Sequence, residues 1–342
     1  MTKRDIIAIG GSMGAIEAAK DLLAGLPDDF PAAVLMVIHV GARGLNHLAA
    51  MFEPNSRLPV TTAVDGDMLE QGHVYVAAAD HHLIVVDGII RLGKGPRENL
   101  ARPAVDPLLR SVAISYGPRA VGVILSGLLN DGAAGLAAIA RCGGATAVQN
   151  PADSKASDMP LGALYGTDVD YRGSAADLAT VLTELVTQDV ETSFEVPADL
   201  ELEVRIALGR RSDSSTISTI ADVTPISCPS CGGVLSQMRS GPPLRFRCQV
   251  GHAFTAEVLA EEQEPSVDEA IRTALRIIEE RVVLLEKMAV QATQAGHTYS
   301  AREYEQRSGE LREQATVLRT AVMRPGAALA LEMGHSHALT TS

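Results

Sequence analysis

Three short stretches place residues capable of acyl chemistry where a chain commonly turns. Gly10-Gly11-Ser12-Met13-Gly14-Ala15 follows the apolar run Ile6–Ile9 and leads into a helical pattern. Glycines there permit a sharp turn, and a serine at a helix start lies among free backbone N–H groups that can hold an anion. The same pattern also builds phosphate cradles and plain helix N-caps, so the turn alone does not choose among them. His39 closes a second apolar run, Val34–Ile38. A dinucleotide site would want glycine in place of Ser12 and an acidic residue in place of His39. Neighbouring strands lie roughly 5 Å apart, which brings Ser12 and His39 within hydrogen-bonding reach. Asp131 follows a third run, Val121–Leu125, at another strand-to-helix turn. It could accept the second ring N–H of His39, or cap a helix beginning near Gly132. Taken together, Ser12, His39 and Asp131 read as a catalytic triad on one sheet edge. Their chain order differs from the Ser, Asp, His order of the α/β-hydrolases.

A second constellation lies far downstream. Cys228-Pro-Ser-Cys231-Gly-Gly is followed, sixteen residues on, by Cys248-Gln-Val-Gly-His252. The tight Cys-x2-Cys turn points two thiolates at one ion, and the second pair completes a tetrahedron. Cys228, Cys231, Cys248 and His252 are therefore expected to hold a structural zinc ion. Four protein ligands close its shell and leave no place for metal catalysis. A degenerate ribbon that folds without metal is the alternative. Arg239, Arg245 and Arg247 read as solvated surface or as a small basic face. Cys142 reads as core, and His335 and His337 fall in a mobile tail.

The elements that must position these residues follow from periodicity. Over residues 1–190, β-branched runs (Ile6–Ile9, Val34–Ile38, Val74–Val76, Leu83–Val86, Val121–Leu125, Thr146–Val148) alternate with helical stretches (Ala15–Ala24, Leu108–Ser115, Ala133–Cys142). This predicts an α/β fold, a doubly wound and mainly parallel sheet. Antiparallel strands are expected around Asp80-His81-His82. Residues 191–224, with the Ser/Thr-rich RRSDSSTISTI, read as a linker. Residues 225–256 form the Cys-rich ribbon. Residues 264–322 carry apolar positions at helical spacing (Ile271, Leu275, Ile278, Val282, Leu285), one or two helices with a break near Gly296. Residues 323–342 form a flexible tail.

Composition narrows the function classes. A formal charge of −13 repels nucleic acid and anionic membrane, so neither is an expected partner. The apolar run after Met1-Thr-Lys-Arg4 ends in glycine too soon for a signal segment, and no stretch approaches a membrane span. Cysteines crowded into 228–248 suit a reducing, cytoplasmic setting. With 46% hydrophobic residues, 3% aromatics and no tryptophan, the core must be aliphatic, as in buried parallel sheets. At 342 residues, two or three domains are expected.

Over roughly residues 5–190 the sequence resembles the catalytic domain of the chemotaxis protein-glutamate methylesterases (CheB-type). The shared features are a strand ending Gly-x-Ser-x-Gly, a strand ending in histidine, and Gly-x-x-x-Asp-Gly-Ala before a helix. Gly72-His-Val-Tyr-Val-Ala77, Asp80-His-His-Leu83, Arg102-Pro-Ala-Val-Asp106 and Met159-Pro160 extend the likeness. The resemblance implies Ser12 as nucleophile, His39 as general base and Asp131 as the orienting carboxylate, with no catalytic cofactor. It implies backbone N–H groups of Met13 and of the Leu128 loop as the oxyanion hole. The implied reaction is hydrolysis of a protein glutamyl γ-methyl ester on a chemoreceptor, with glutamine deamidation as a second activity of some relatives. A non-catalytic scaffold that binds partners through its ribbon and helices is the competing reading. The chain departs from the family pattern at Met13, Leu128-Leu129 and Asp158, where threonine, Met-Gly and glycine are usual. The catalytic strand starts by residue 5, so phosphorylation in cis by a preceding receiver domain is not expected. The C-terminal helices are expected to bind a partner or a second copy of the chain.

Overall fold

The computed structural model describes residues 2–39 and 47–322, which divide into two compact units, Met1–Ala260 and Glu261–Ser342. The expected tail, with His335 and His337, lies outside the described residues.

The first unit begins with β1 (Thr2–Lys3), β2 (Ile6–Gly11), α1 (Ala15–Gly25), β3 (Ala33–Ile38), α2 (Leu48–Phe52), β4 (Val60–Thr62) and β5 (Val74–Val76). A hairpin follows, β6 (His82–Val86) and β7 (Ile89–Gly93), then α3 (Val105–Tyr116), β8 (Ala120–Ile124), α4 (Ala133–Arg141) and β9 (Ala145–Gln149). After α5 (Asp158–Gly166) and β10 (Tyr171–Gly173) come α6 (Ala175–Leu185) and β11 (Asp189–Val190). Seven strands form one sheet in the order β10-β9-β8-β2-β3-β5-β4, every pairing parallel. The chain leaves β2 toward β3 on one side and returns to β8 on the other. β2 is thus the switch point, beside which open α/β sheets bind ligands.

Alternation along the strands explains the two layers. Ile7, Ile9, Val34 and Met36 pack with Leu22, Phe52, Leu178 and Leu182 from α1, α2 and α6. Ile6, Ala8, Leu35 and Val37 pack against Leu108, Leu136 and Met159 from α3, α4 and α5. Every residue of β2 and β3 is buried, as both faces are covered. The antiparallel pair expected around Asp80-His81-His82 starts at His82 and turns at Asp87-Gly88, where Gly88 supplies the positive φ (76°) a tight turn needs.

The segment 191–224 is not an unstructured linker. It contains α7 (Ala198–Ala207), α8 (Ser214–Ser218) and the start of β12 (Ala221–Ser227). Leu200, Val204, Ile206 and Ala207 bury an apolar face, and Asp213 caps α8 by accepting from the Thr216 N–H. β12 continues with β13 (Val234–Met238), β14 (Arg245–Cys248) and β15 (Ala253–Thr255) into a four-stranded antiparallel ribbon. This ribbon belongs to the same compact unit as the parallel sheet. Arg245 and Arg247 are not surface residues; they are buried with Arg110, Glu98 and Glu203 in one ion cluster. Arg239 is paired with Asp222 at 2.7 Å. Their charges are spent within the protein, which removes the basic face.

After β15 comes α9 (Ala256–Gln294), followed by α10 (Thr298–Val322). Gly296, at φ 76°, turns the chain between them. In the second unit Val282, Leu285, Ala289 and Ala292 form a buried stripe at helical spacing, and the pairs Glu286–Arg312 and Glu279–Arg319 align α9 and α10 antiparallel. None of the described helices is long and apolar enough to cross a membrane.

Candidate functional site

The ladder between β2 and β3 pairs Gly11 with Ile38, so the next register step sets Ser12 beside His39. The His39 N–H donates to Gly11 O at 2.9 Å, and the Ser12 N–H donates to Ser126 O at 2.9 Å. Ser12 is therefore pinned between the loops that leave β3 and β8. Gly14 (φ 81°) makes the turn into α1 that an L-residue would resist. Ser126 Oγ donates to Met13 O at 2.7 Å and accepts from the Ala156 N–H at 2.9 Å, tying this turn to the two loops beside it. Gly127 must be small for another reason. A Cβ there would stand 2.1 Å from Met159 Sδ and 2.9 Å from Ser12 Cβ.

The structure brings His39 and Asp131 together, with Nε2 3.0 Å from Oδ2. The two atoms are within hydrogen-bonding distance but off the line of the ring N–H, so the pair is in place while the hydrogen bond between them is not aligned. The pairing leaves Nδ1 as the ring nitrogen available to the serine hydroxyl, although no described hydrogen bond joins Ser12 Oγ to the ring.

Asp131 is buried, yet its carboxylate is the best-held group of the site. Oδ2 accepts from the Val105 N–H at 2.6 Å; Oδ1 accepts from the Asp106 N–H at 3.2 Å, the Gly132 N–H at 3.0 Å and Asn99 Nδ2 at 2.9 Å. Burial alone would raise its pKa. His39, the Val105 amide and the Asn99 side chain more than offset that and hold it below the ordinary carboxylate range. Asp131 therefore does not act as the N-cap of α4, which is Gly132; it seals the N-terminus of α3. Asp106 next to it behaves oppositely. Burial and the Asp131 charge push its pKa up to about 7, and its oxygens accept from the Gly135 N–H (2.7 Å) and Asn99 Nδ2 (3.1 Å).

Among the described residues, the Met13 and Leu128 N–H groups have no hydrogen-bond partner. They flank Ser12 from the turn before α1 and from the loop after β8. Leu129 adopts φ 60°, so the loop holds a left-handed turn at some steric cost. Its side chain packs on the apolar core of the ribbon. Asp158 accepts from the Leu129 N–H at 3.3 Å. A groove of about 400 Å³ opens beside this loop, lined by Leu129, Asp158, Leu161, Tyr165, Leu244 and Glu257 among others.

Sequence reasoning missed the residues that hold Asp131. Asn99 gave no signal, since an isolated asparagine in a loop is ordinary. Glu98 and Glu203 look like surface charges until their arginines are found in the ribbon.

The ribbon brings Cys228, Cys231, Cys248 and His252 together, with ligand atoms all within 4.8 Å of one another. Cys231 Sγ lies 3.7 Å from Cys248 Sγ, and His252 Nδ1 lies 3.6 Å from Cys248 Sγ and 3.9 Å from Cys228 Sγ. A tetrahedral ion with metal–sulfur bonds of ~2.3 Å requires sulfur–sulfur separations of ~3.8 Å, which these distances meet. Two turns preform the donor set, closed by Gly232 N–H to Cys228 O (2.8 Å) and Gly251 N–H to Cys248 O (2.9 Å). The four residues can hold a metal ion.

Over its N-terminal half the chain is similar to known proteins. Residues 7–182 match the family model described as CheB methylesterase. A protein-glutamate methylesterase/protein-glutamine glutaminase of Anaeromyxobacter dehalogenans is 37% identical over 181 residues, 53% of this chain and 53% of that one. A counterpart in Xanthomonas euvesicatoria pv. vesicatoria is 42% identical over 164 residues, 47% of this chain and 45% of its own. The chain thus spans about half the length of these curated relatives. The crystal structure of the Thermotoga maritima CheB methylesterase catalytic domain superposes with a TM-score of 0.52 at 30% identity, covering 54% of this chain and all of that one. With its switch-point serine, its histidine–aspartate pair and a family match over residues 7–182, the chain belongs to the CheB methylesterase family.

Proposed function

We propose that this protein hydrolyses γ-methyl esters of glutamyl residues on a chemoreceptor or a related signalling protein. The observation that carries the reading is the approach of His39 Nε2 to Asp131 Oδ2 at 3.0 Å, one register step from Ser12. Asp131 stays ionised and fixes the imidazole tautomer. His39 Nδ1 takes the Ser12 proton as Oγ attacks the ester carbonyl carbon. The negative oxygen of the tetrahedral intermediate accepts from the Met13 and Leu128 N–H groups, each worth about 3 kcal/mol. His39 then gives its proton to the departing methoxide, and methanol leaves. Water attacks the acyl-enzyme, His39 accepts its proton, and glutamate is released as Ser12 is restored. The same steps on glutamine would release ammonia, the glutaminase activity for which the relatives are also named.

Cys228, Cys231, Cys248 and His252 would hold zinc in a closed, structural site that takes no part in the ester chemistry. The reading places the protein in the cytoplasm, where receptor signalling helices are exposed. The C-terminal helices then serve a partner or a second copy of the chain.

The test is methanol release from a methylated receptor fragment by wild type and Ser12→Ala. Wild type should release methanol in step with loss of the ester, and the variant should fall by at least about 10³-fold. Equal release by the two removes Ser12 as nucleophile.

A further inference from the structure

The Cys-rich ribbon touches the carboxylate on which the proposed triad depends, through one side chain. Asn99 Nδ2 donates to Asp131 Oδ1 at 2.9 Å and to Asp106 Oδ2 at 3.1 Å, while Asn99 Oδ1 accepts from the Thr255 N–H at 3.0 Å. The Thr255 N–H thus settles which way the amide points. Turned over, Asn99 would set its oxygen against two carboxylates and its NH2 against another N–H. The backbone repeats the link, since the Asn99 N–H donates to Ala253 O at 2.8 Å. Asn99 and Leu100 both hold positive φ, 48° and 65°, a conformation that persists only where surroundings over-determine it. A second strut lies beside it. Asn130, next to Asp131, accepts from Thr255 Oγ1 and donates to Glu257 Oε2 at 2.7 Å.

β15 is itself held from two sides. His252, one residue before it, belongs to the Cys3His cluster, and Arg247 on β14 is buried against Glu98, the neighbour of Asn99. We infer that Asn99 is a positioning residue for the hydrolase site. The ribbon strand β15 orients its amide, the amide fixes the Asp131 carboxylate toward His39, and the ribbon is thereby part of the catalytic framework. This rests on the triad assigned above, not on the identity of the ester.

The test measures the rate at which a serine-directed fluorophosphonate labels Ser12 in the full-length protein, in wild type, Asn99→Gly, Asp131→Asn and the double variant. Glycine tolerates the positive φ at position 99, so this change removes the amide with least disturbance of the turn; Asn99→Ala serves as a second variant if the first does not fold. Asn99→Gly should label about 10-fold more slowly, and in the Asp131→Asn background it should cost no further loss. A residue with a merely structural role would give multiplying losses. Labelling within twofold of wild type, or multiplying losses, overturns the inference. If wild type labels but releases no methanol, the substrate reading fails while the variants still decide the role of Asn99. A wild type that the probe does not label overturns both.

Discussion

Glu203→Gln tests whether the ribbon and the parallel sheet are welded together. Glu203 lies on α7, in the stretch whose composition suggests a linker, yet it is fully buried. Its Oε2 receives Arg247 Nη2 at 2.6 Å and Arg245 Nη1 at 2.8 Å and lies 3.3 Å from Arg110 Nη1; Oε1 receives Arg245 Nη2 at 3.1 Å. Removing this charge leaves buried Arg110 and Arg247 with Glu98 as their remaining partner in the cluster and takes from Arg245 the carboxylate it pairs with. Breaking a buried ion pair from one side costs about 3–5 kcal/mol, because the abandoned charge keeps its desolvation penalty. The near-isosteric variant should lose that much in urea unfolding followed by far-UV circular dichroism, the suitable probe for a chain without tryptophan. Burial works against ionisation of Glu203, but Arg110, Arg245 and Arg247 outweigh it and hold its pKa well below the ordinary value. A folded pKa below the unfolded one contributes stability that is complete above the unfolded value, near ~4.3, and disappears as pH falls through the folded one. The deficit of the variant should therefore be full at neutral pH and shrink only in strong acid. Glu201→Gln, which breaks an exposed pair with Arg205 on the same helix, is the control and should cost no more than about 0.5 kcal/mol. A loss below about 1 kcal/mol for Glu203→Gln would refute the claim that the cluster joins the modules.

Gly127→Ala should lower kcat by about 10²-fold while destabilising the fold by only about 1–3 kcal/mol, since Met159 can yield but Ser12 must move to make room; steady-state kinetics and unfolding together check both halves. Asp106→Asn should alter the pH dependence of stability. With a folded pKa of about 7 and an unfolded one near ~3.9, the native state keeps a proton that the unfolded state loses, so this group makes stability fall as pH rises between those values. The variant should gain relative to wild type on going from pH 5 to pH 8, and a constant difference in urea unfolding would contradict that. Zinc content measured by mass spectrometry should fall from about one ion per chain to near none in Cys248→Ser, as one lost thiolate opens the tetrahedron; undiminished content would remove Cys248 from the ligand set.

The parallel sheet was readable because its strands are short β-branched runs: Ile6–Ile9 lies within β2, Val34–Ile38 within β3, and Val121–Leu125 covers the end of β8 and one residue beyond it. His39 and Asp131 were readable as partners since one closes such a run and the other follows one at the turn into a helix. The Cys-x2-Cys and Cys-x3-His spacing foretold the ribbon cluster because ligand geometry is local. What binds the ribbon to the sheet is not local. Glu98 meets Arg247 across 149 positions, and no window of sequence contains both. Residues 191–224 misled for the same reason. Their serines and threonines cap and flank short helices, and the apolar face of α7 acquires meaning only beside the residues it covers.

Leu129 carries a consequence for the order of assembly. It holds a left-handed turn that glycine would adopt freely, and its side chain leans on an apolar cluster completed by Phe254, Val258 and Leu259. A growing chain emerges N-terminus first, so Ser12, His39 and Asp131 all leave the ribosome more than a hundred residues before the surface that steadies their loop. If Ser12, His39 and Asp131 act as proposed, competence is expected late in synthesis, once the ribbon has been made and has closed against the sheet.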